Sequence, residues 1–301
     1  MAYFQPESQL PDLNTLSDVE KQSLTRDIYT KPGYFSTLFQ TNHIEIECAA
    51  FSNRFRAEIE RLLHEKNIAP HCTQLETLHE HLSDEMRAYN FDDGVNKIST
   101  YFYETDKQFT QLYYQFIQFL RNTLLLEPFW FQATPTIRIH CPNAKNSHHY
   151  PRYHTDIGYG HPPEEMNLWM PLTHLLDRHG FRRMSVAQSQ QILEKFDYQF
   201  DAFIDQAIHN KTFSSHCDAL SQPVSTPFGS LLAFDARCIH TGEPLRSHTR
   251  ISIDIRITPI SQFEKRAVNY QGLGRRRVLF QPGHCYHPVN SENLGKELFY
   301  E

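Results

Sequence analysis

No stretch of the 301-residue chain approaches the ~18 consecutive apolar residues that span a bilayer. The opening MAYFQPESQL carries neither a basic stretch nor an apolar segment of the kind that directs export. Membrane association and secretion are therefore not expected, and the cytoplasm is the expected compartment. Positive charge is in deficit too: 29 Lys and Arg stand against 35 Asp and Glu, for a net charge of −6. A phosphate backbone would meet no broad basic face, so nucleic acid is not an expected partner. The six cysteines are scattered and include no CxxC pair, which argues against a zinc ribbon or a disulfide framework. Internal repeats and low-complexity segments are absent as well. What the chain has in quantity is histidine, 18 in all, and imidazole is both the commonest transition-metal ligand and a general base.

At this length, with 40% hydrophobic residues, the chain can bury a sizeable core, and a single domain over 1–301 is expected. Residues 1–40 read as an irregular arm containing a short helix that opens at Ser17, whose hydroxyl caps DVEKQSL. Apolar residues then recur at a period of about 3.6 over 44–64, 72–89 and 105–126, which predicts a mostly helical region over 1–127. From Pro128 the character changes. Residues 136–140 (TIRIH), 166–172 (MNLWMPL), 230–234 (SLLAF) and 250–258 (RISIDIRIT) are short, β-rich and bounded by turn residues. A β core over 128–301, interrupted by a helical insertion at 187–210, makes the expected fold class α+β.

Strict alternation over 250–258 places Ile251, Ile253, Ile255 and Ile257 on one face and Arg250, Ser252, Asp254 and Arg256 on the other. A half-exposed strand would show the same pattern with its charges in water. The alternative is a barrel whose polar face lines a cavity while the N-terminal helices cover the isoleucines.

A metal that must keep coordination positions open for other reactants needs its protein ligands on one face, and two imidazoles with one carboxylate meet that need. On a strand, His154 and Asp156 of YHTDIGYG would share a face two residues apart, and His240 of FDARCIHTGEP is the candidate third ligand. Spacing alone is weak, since roughly one His-x-Asp is expected by chance at this composition. His216/Asp218 is a second instance and His43/Glu45 a carboxylate variant. His43 reads as the mouth of a helix, and His216 as part of a polar loop too near His240 to leave room for strands. Ten residues beyond His240 come Arg250 and Ser252, a guanidinium and a hydroxyl on one face that could clamp a carboxylate.

Together HTD at 154–156, NLWMPLT at 167–173, GSLLAFDARCIHTG at 229–242 and TRISIDIRITP at 249–259 resemble the iron(II)/2-oxoglutarate-dependent oxygenases, nearest to the phytanoyl-CoA dioxygenase-like branch, over roughly 130–260. The resemblance implies a double-stranded β-helix (jelly-roll, cupin-like) core and Fe(II) held by His154, Asp156 and His240. It implies 2-oxoglutarate bound at its distal carboxylate by Arg250, with Ser252 beside it and Asn167 facing the co-substrate, and O2 as the oxidant. Asp at 156, where related halogenases carry a small residue that leaves space for halide, points to hydroxylation or another oxidation of a small-molecule substrate. The insertion at 187–210 departs from the compact family pattern.

Around this set, Arg138 shares a strand face with His140 and reads equally as a substrate-binding cation or an ordinary ion-pair member. Arg256 is a rival clamp or a second substrate cation. Such cations favour a small anionic substrate, an amino acid, a conjugate or a natural-product intermediate. Tyr150, Arg152 and Tyr159 flank the metal pair as candidate entrance residues, and Trp169 is a candidate stacking surface although large aromatics more often belong to a core. Arg275, Arg276 and Arg277 read as a solvated basic face, and His284, Cys285 and His287 lack a fourth ligand spaced to close a zinc tetrahedron. The competing readings are a cupin-type metalloenzyme that does not use 2-oxoglutarate, for which Arg250 would have nothing to hold, and a non-catalytic barrel serving as a binding module.

Overall fold

The computed structural model describes residues 15–89, 95–102, 105–145, 153–175, 180–243, 245–265, 283 and 285–289. Tyr150, Arg152, the 275–277 basic run and His284 lie outside them. The N-terminal region holds helices α1 (Asp18–Thr30), α2 (Tyr34–Phe39), α3 (Ala49–Glu65), α4 (Asp84–Arg87), α5 (Lys97–Thr100) and α6 (Lys107–Thr123). Ser17 caps α1 through a full capping box with Glu20, as its sequence predicts. Strands β2 (Phe129–Gln132) and β3 (Thr136–His140) follow, then β4 (Met166–Pro171) and β5 (Phe181–Arg183). The expected insertion is larger than 187–210, because α7 (Val186–Glu194) and α8 (Phe200–His209) are followed by α9 (Lys211–Leu220). The chain continues through β6 (Gln222–Val224), β7 (Ser230–Asp235), β8 (His240–Gly242), β9 (Arg250–Pro259), α10 (Ile260–Phe263) and β10 (Tyr286–Val289).

Among the described residues the strands form two antiparallel sheets, in a mixed helix-and-sheet fold of the expected α+β class. The larger orders β1 (His43–Glu47), β7, β4, β9, β2 and β10, with β3 also pairing β9, and the smaller orders β6, β5 and β8. Strand β1 corrects the helical reading of 44–64: its five residues pair with the edge of β7, His43 opposite Phe234, and the helix starts only at Ala49. Residues 72–89 are likewise a 3-10 helix over Leu75–His81 and one turn of α4 rather than a continuous helix.

Strand β9 explains the architecture. Its four isoleucines are fully buried in one apolar cluster with Phe55, Ile59, Phe109 and Phe116 of α3 and α6, so the N-terminal helices do cover that face. The opposite face of β9 carries Arg250, Ser252, Asp254 and Arg256 into a cavity. A second apolar cluster gathers Ile192, Phe203, Ile204 and Cys217 of the insertion with Ile157, Trp169, Phe181 and Ile239. The insertion thus packs behind the smaller sheet and beside the segments that carry His154 and His240. Among the described residues no helix is long and apolar enough to cross a membrane.

Candidate metal centre

His154 and His240 meet through their backbones. Each donates its N–H to the other's carbonyl, at 3.0 and 2.9 Å, in an isolated antiparallel bridge that brings the two imidazoles together, ring centroids 4.4 Å apart and planes tilted by 53°. Asp156 does not continue a strand from His154, which corrects the same-face argument. It stands in helical backbone geometry at the start of a 3-10 turn, Ile157–Tyr159, and its carbonyl accepts the N–H groups of Tyr159 and His161. The turn nevertheless brings its carboxylate to the histidines: Oδ1 lies 3.9 Å from Nε2 of each. One ligand atom from each of the three residues falls within 4.8 Å of the others. The rival histidines are elsewhere. His43 lies on edge strand β1 and contacts Arg183, and His216 lies on α9 rather than in a loop.

Protonation suits the donors to a cation. Nδ1 of His240 sits 3.0 Å from the Cys238 carbonyl, an arrangement in which Nδ1–H donates and Nε2 keeps its lone pair. Burial lowers the pKa of His240, against the opposing pull of Asp156. Burial raises the Asp156 carboxyl, but the Arg256 guanidinium and the imidazoles of His240, His161 and His154 overcome it and hold the group well below the usual carboxylate range.

The triad lies on the wall of a cavity of about 500 Å³. Strand register sets the inner rows. Phe234, Asn167 and Arg256 stand abreast on β7, β4 and β9; Leu232, Trp169, Asp254 and Thr136 form the next row; Ser252 lies opposite Arg138, and Arg250 opposite His140. Arg250 is 2% exposed and, with Arg138, holds buried His140 neutral, although burial contributes more to that shift. The Asn167 amide is 5% exposed, and neither its nitrogen nor its oxygen has a hydrogen-bond partner among the described residues. A buried, unsatisfied amide facing a cavity is one that a polar ligand would satisfy.

The flanking candidates divide. Tyr159 packs tilted against His154, ring centroids 5.1 Å apart, and lines the cavity. Trp169 is both core and wall: 7% exposed, it packs against Phe181 at 5.0 Å and still borders the cavity. Neither extra cation presents uncompensated charge. Arg138 pairs with Asp254, while Arg256 donates from Nε and Nη2 to Asp156 Oδ2, both at 3.2 Å, and lies 3.9 Å from Glu165. The expectation of an anionic substrate, which rested on these two guanidiniums, loses that support. Sequence reasoning missed Phe181, Phe234, His161, Glu165 and Tyr286. Only Phe234 left a signal, since alternation along SLLAF turns it to the face shared by Asn167.

No family model and no curated protein matches the sequence. Solved structures that it resembles include the non-heme alpha ketoglutarate dependent carbocyclase SnoK from nogalamycin biosynthesis, 12% identical over 92% of this chain and 98% of that one, with a TM-score of 0.47. HygX from Streptomyces hygroscopicus, with nickel and 2-oxoglutarate bound, is 11% identical over 76% of this chain and 88% of its own, at a TM-score of 0.44. EvdMO1 is 13% identical over 73% of this chain, at a TM-score of 0.38, and the chain spans about half of its length (48%).

Proposed function

We propose that the protein is an iron(II)- and 2-oxoglutarate-dependent oxygenase that hydroxylates an unactivated C–H bond of a small molecule, on a double-stranded β-helix core. The observation that carries the reading is the convergence of His154, Asp156 and His240 on one wall of a cavity that also holds Arg250. Ligands ~2.1 Å from one ion and on one face of it stand ~3 Å apart; Asp156 Oδ1 lies 3.9 Å from both imidazoles and all three donors fall within 4.8 Å of one another, so an ion would have to draw them in by about 1 Å or somewhat more. Two imidazoles and one carboxylate are the donor set that suits iron(II) while leaving positions open.

His154, Asp156 and His240 would hold the metal, and Arg250 with Ser252 would take the distal carboxylate of 2-oxoglutarate in a charge-assisted pair. The Asn167 amide would supply the hydrogen bonds that its own surroundings leave unmade. When bound, iron(II) and 2-oxoglutarate supply dioxygen activation coupled to release of succinate and CO2. The chain's contribution is orientation and exclusion of water. Trp169, Phe181 and Phe234 form an apolar wall beside His240, and Tyr159 stands at its edge. The Arg138–Asp254 pair offers both donors and acceptors to polar groups of a substrate. A small molecule with an apolar body and an uncharged or zwitterionic polar end fits this lining.

Anaerobic addition of iron(II) and then 2-oxoglutarate to metal-free protein tests the assignment. A weak visible charge-transfer band needing both additions is expected, and Arg250→Ala should require at least ~10-fold more 2-oxoglutarate, since losing one partner of a buried charged contact costs about 2 kcal/mol or more. His154→Ala and Asp156→Ala should retain no iron. Bound iron without the band would favour the cupin-type alternative, and a wild-type protein that binds no metal would favour the binding module.

A further inference from the structure

The two oxygens of Asp156 face different partners. Oδ1 is turned to His154 and His240, 3.9 Å from each Nε2, while Oδ2 accepts both Nε–H and Nη2–H of Arg256 at 3.2 Å. Arg256 is in turn faced by Glu165, whose side chain is fully buried, with Oε1 3.9 Å from Nε. Glu165 is itself pinned. The Tyr286 hydroxyl donates to Oε1 at 3.0 Å, and His161 Nδ1 lies 3.1 Å from Oε2. The chain between the two carboxylates is closed by the His161 N–H on the Asp156 carbonyl and the Glu165 N–H on the Pro162 carbonyl. Burying a carboxylate is costly unless it is paired and hydrogen-bonded, and a fold needing only bulk at 165 would be met by an apolar side chain.

We infer that Arg256 and Glu165 are a positioning pair that fixes Asp156 as a one-oxygen ligand, Arg256 occupying the second oxygen and Glu165 cancelling the charge that Arg256 would otherwise set against the metal. The inference rests on the reading that His154, Asp156 and His240 hold a divalent metal. Its logic is charge and coordination number. A guanidinium beside a divalent cation repels it, and a buried carboxylate behind the guanidinium removes that penalty while leaving its hydrogen bonds intact. With Oδ2 engaged, the carboxylate takes one coordination position instead of two, which keeps three available on a six-coordinate ion. Contacts of this kind, one residue removed from the metal, typically change metal affinity 10–100-fold.

The test uses Mn(II) as a redox-inert probe, its free concentration read by electron paramagnetic resonance in the full-length protein, with 2-oxoglutarate affinity measured on the Mn(II) form. Glu165→Gln is expected to weaken Mn(II) binding ~10-fold or more, because it leaves the Arg256 charge uncancelled. Arg256→Met is expected to bind Mn(II) at least as tightly as wild type and 2-oxoglutarate ~10-fold more weakly, because Asp156 can then use both oxygens. The double variant should recover Mn(II) affinity to within a few-fold of wild type. Tyr286→Phe, which removes a single hydroxyl, should shift Mn(II) affinity in the direction of Glu165→Gln, by less, and serves where a charge variant does not fold. Equal affinities in all variants would overturn the inference. So would loss of metal in both single variants without recovery in the double, which marks mere structural support. A wild-type protein that binds no Mn(II) overturns instead the metal reading on which the inference stands.

Discussion

Arg237, three residues before His240, is 2% exposed, and its side chain is a junction. It donates to both oxygens of Asp235, to the carbonyls of Ile28 and Lys31, and to the Ser36 hydroxyl. The helices α1 and α2 are thereby tied to the end of β7, and the Tyr29 hydroxyl returns a bond to the Arg237 carbonyl. The Ile239 N–H is held by the Ser189 hydroxyl of α7 at 2.8 Å, so the approach to His240 is anchored on both sides. Gly33 is required there by close approach: a Cβ would stand 2.3 Å from the Arg237 guanidinium carbon. Gly33→Ala is expected to destabilise the fold by about 1–3 kcal/mol through overpacking, read as a lower urea midpoint. Metal affinity should change little unless the displaced guanidinium moves His240. Nothing in FDARC announces this role. The residues that bury Arg237 lie some 200 positions earlier in the chain, and spacing carries no sign of them. The same holds for Glu165 and Tyr286, whereas the convergence of the His154, Asp156 and His240 side chains is legible in the sequence because a metal restricts which residue types can serve.

At the scale of elements, legibility followed the strength of the period. Over β9 the alternation is unbroken, and all four isoleucines are fully buried. Ile255→Ala should therefore cost about 2–5 kcal/mol, measurable by thermal or denaturant unfolding, with the polar face of the same strand left in place. Strand β1 reads as helix for the opposite reason. Its HIEIE alternates only between exposed and half-buried positions, and it runs within two residues into the amphipathic α3, whose helical period extends backwards over it. The partner that makes it a strand, β7, is nearly 190 residues away, and edge pairing of that kind is a tertiary effect on a weak local preference. Helix α9 was hidden because only Cys217 among its residues is buried. What starts it is the Asn210 side chain accepting the Phe213 N–H, a cap rather than an apolar stripe. Strand geometry predicts the His154–Asp156 pairing, but a turn delivers it, so the convergence is legible in the sequence while its backbone cause is not.

For the whole molecule, the division into a helical N-terminal region and a sheet-rich remainder was readable from the change of period near Pro128, but the joints between them were not. One joint is Glu76. Its carboxylate takes Nη1 and Nη2 of Arg56 on α3 at 2.7 and 2.8 Å and the His174 N–H at 2.8 Å. The Arg56 guanidinium also donates to the Leu172 carbonyl, and the Glu76 carbonyl accepts the N–H of Thr249, the residue before Arg250. Helix α3, the chain leaving β4 and the start of β9 are thus fastened at a single point, at the end of the cavity where Arg250 stands. Burial raises the Glu76 carboxyl, but the Arg56 bonds and the His174 N–H outweigh it and bring the pKa from 4.5 down to about 2. The folded value lies below the unfolded one, so Glu76 stabilises the fold above the unfolded pKa, and that contribution is lost as the pH falls from about 4.5 through about 2. Allowing for solvent screening of a pair whose side chains are 19% and 12% exposed, the contribution near neutrality is about 2 kcal/mol. Glu76→Gln should accordingly melt below wild type at pH 7, with a gap that narrows below about pH 4.5 and nearly closes near pH 2. A gap that stayed constant across that range would mean that the joint is held by the backbone bonds at Thr249 and His174 rather than by the charge of Glu76.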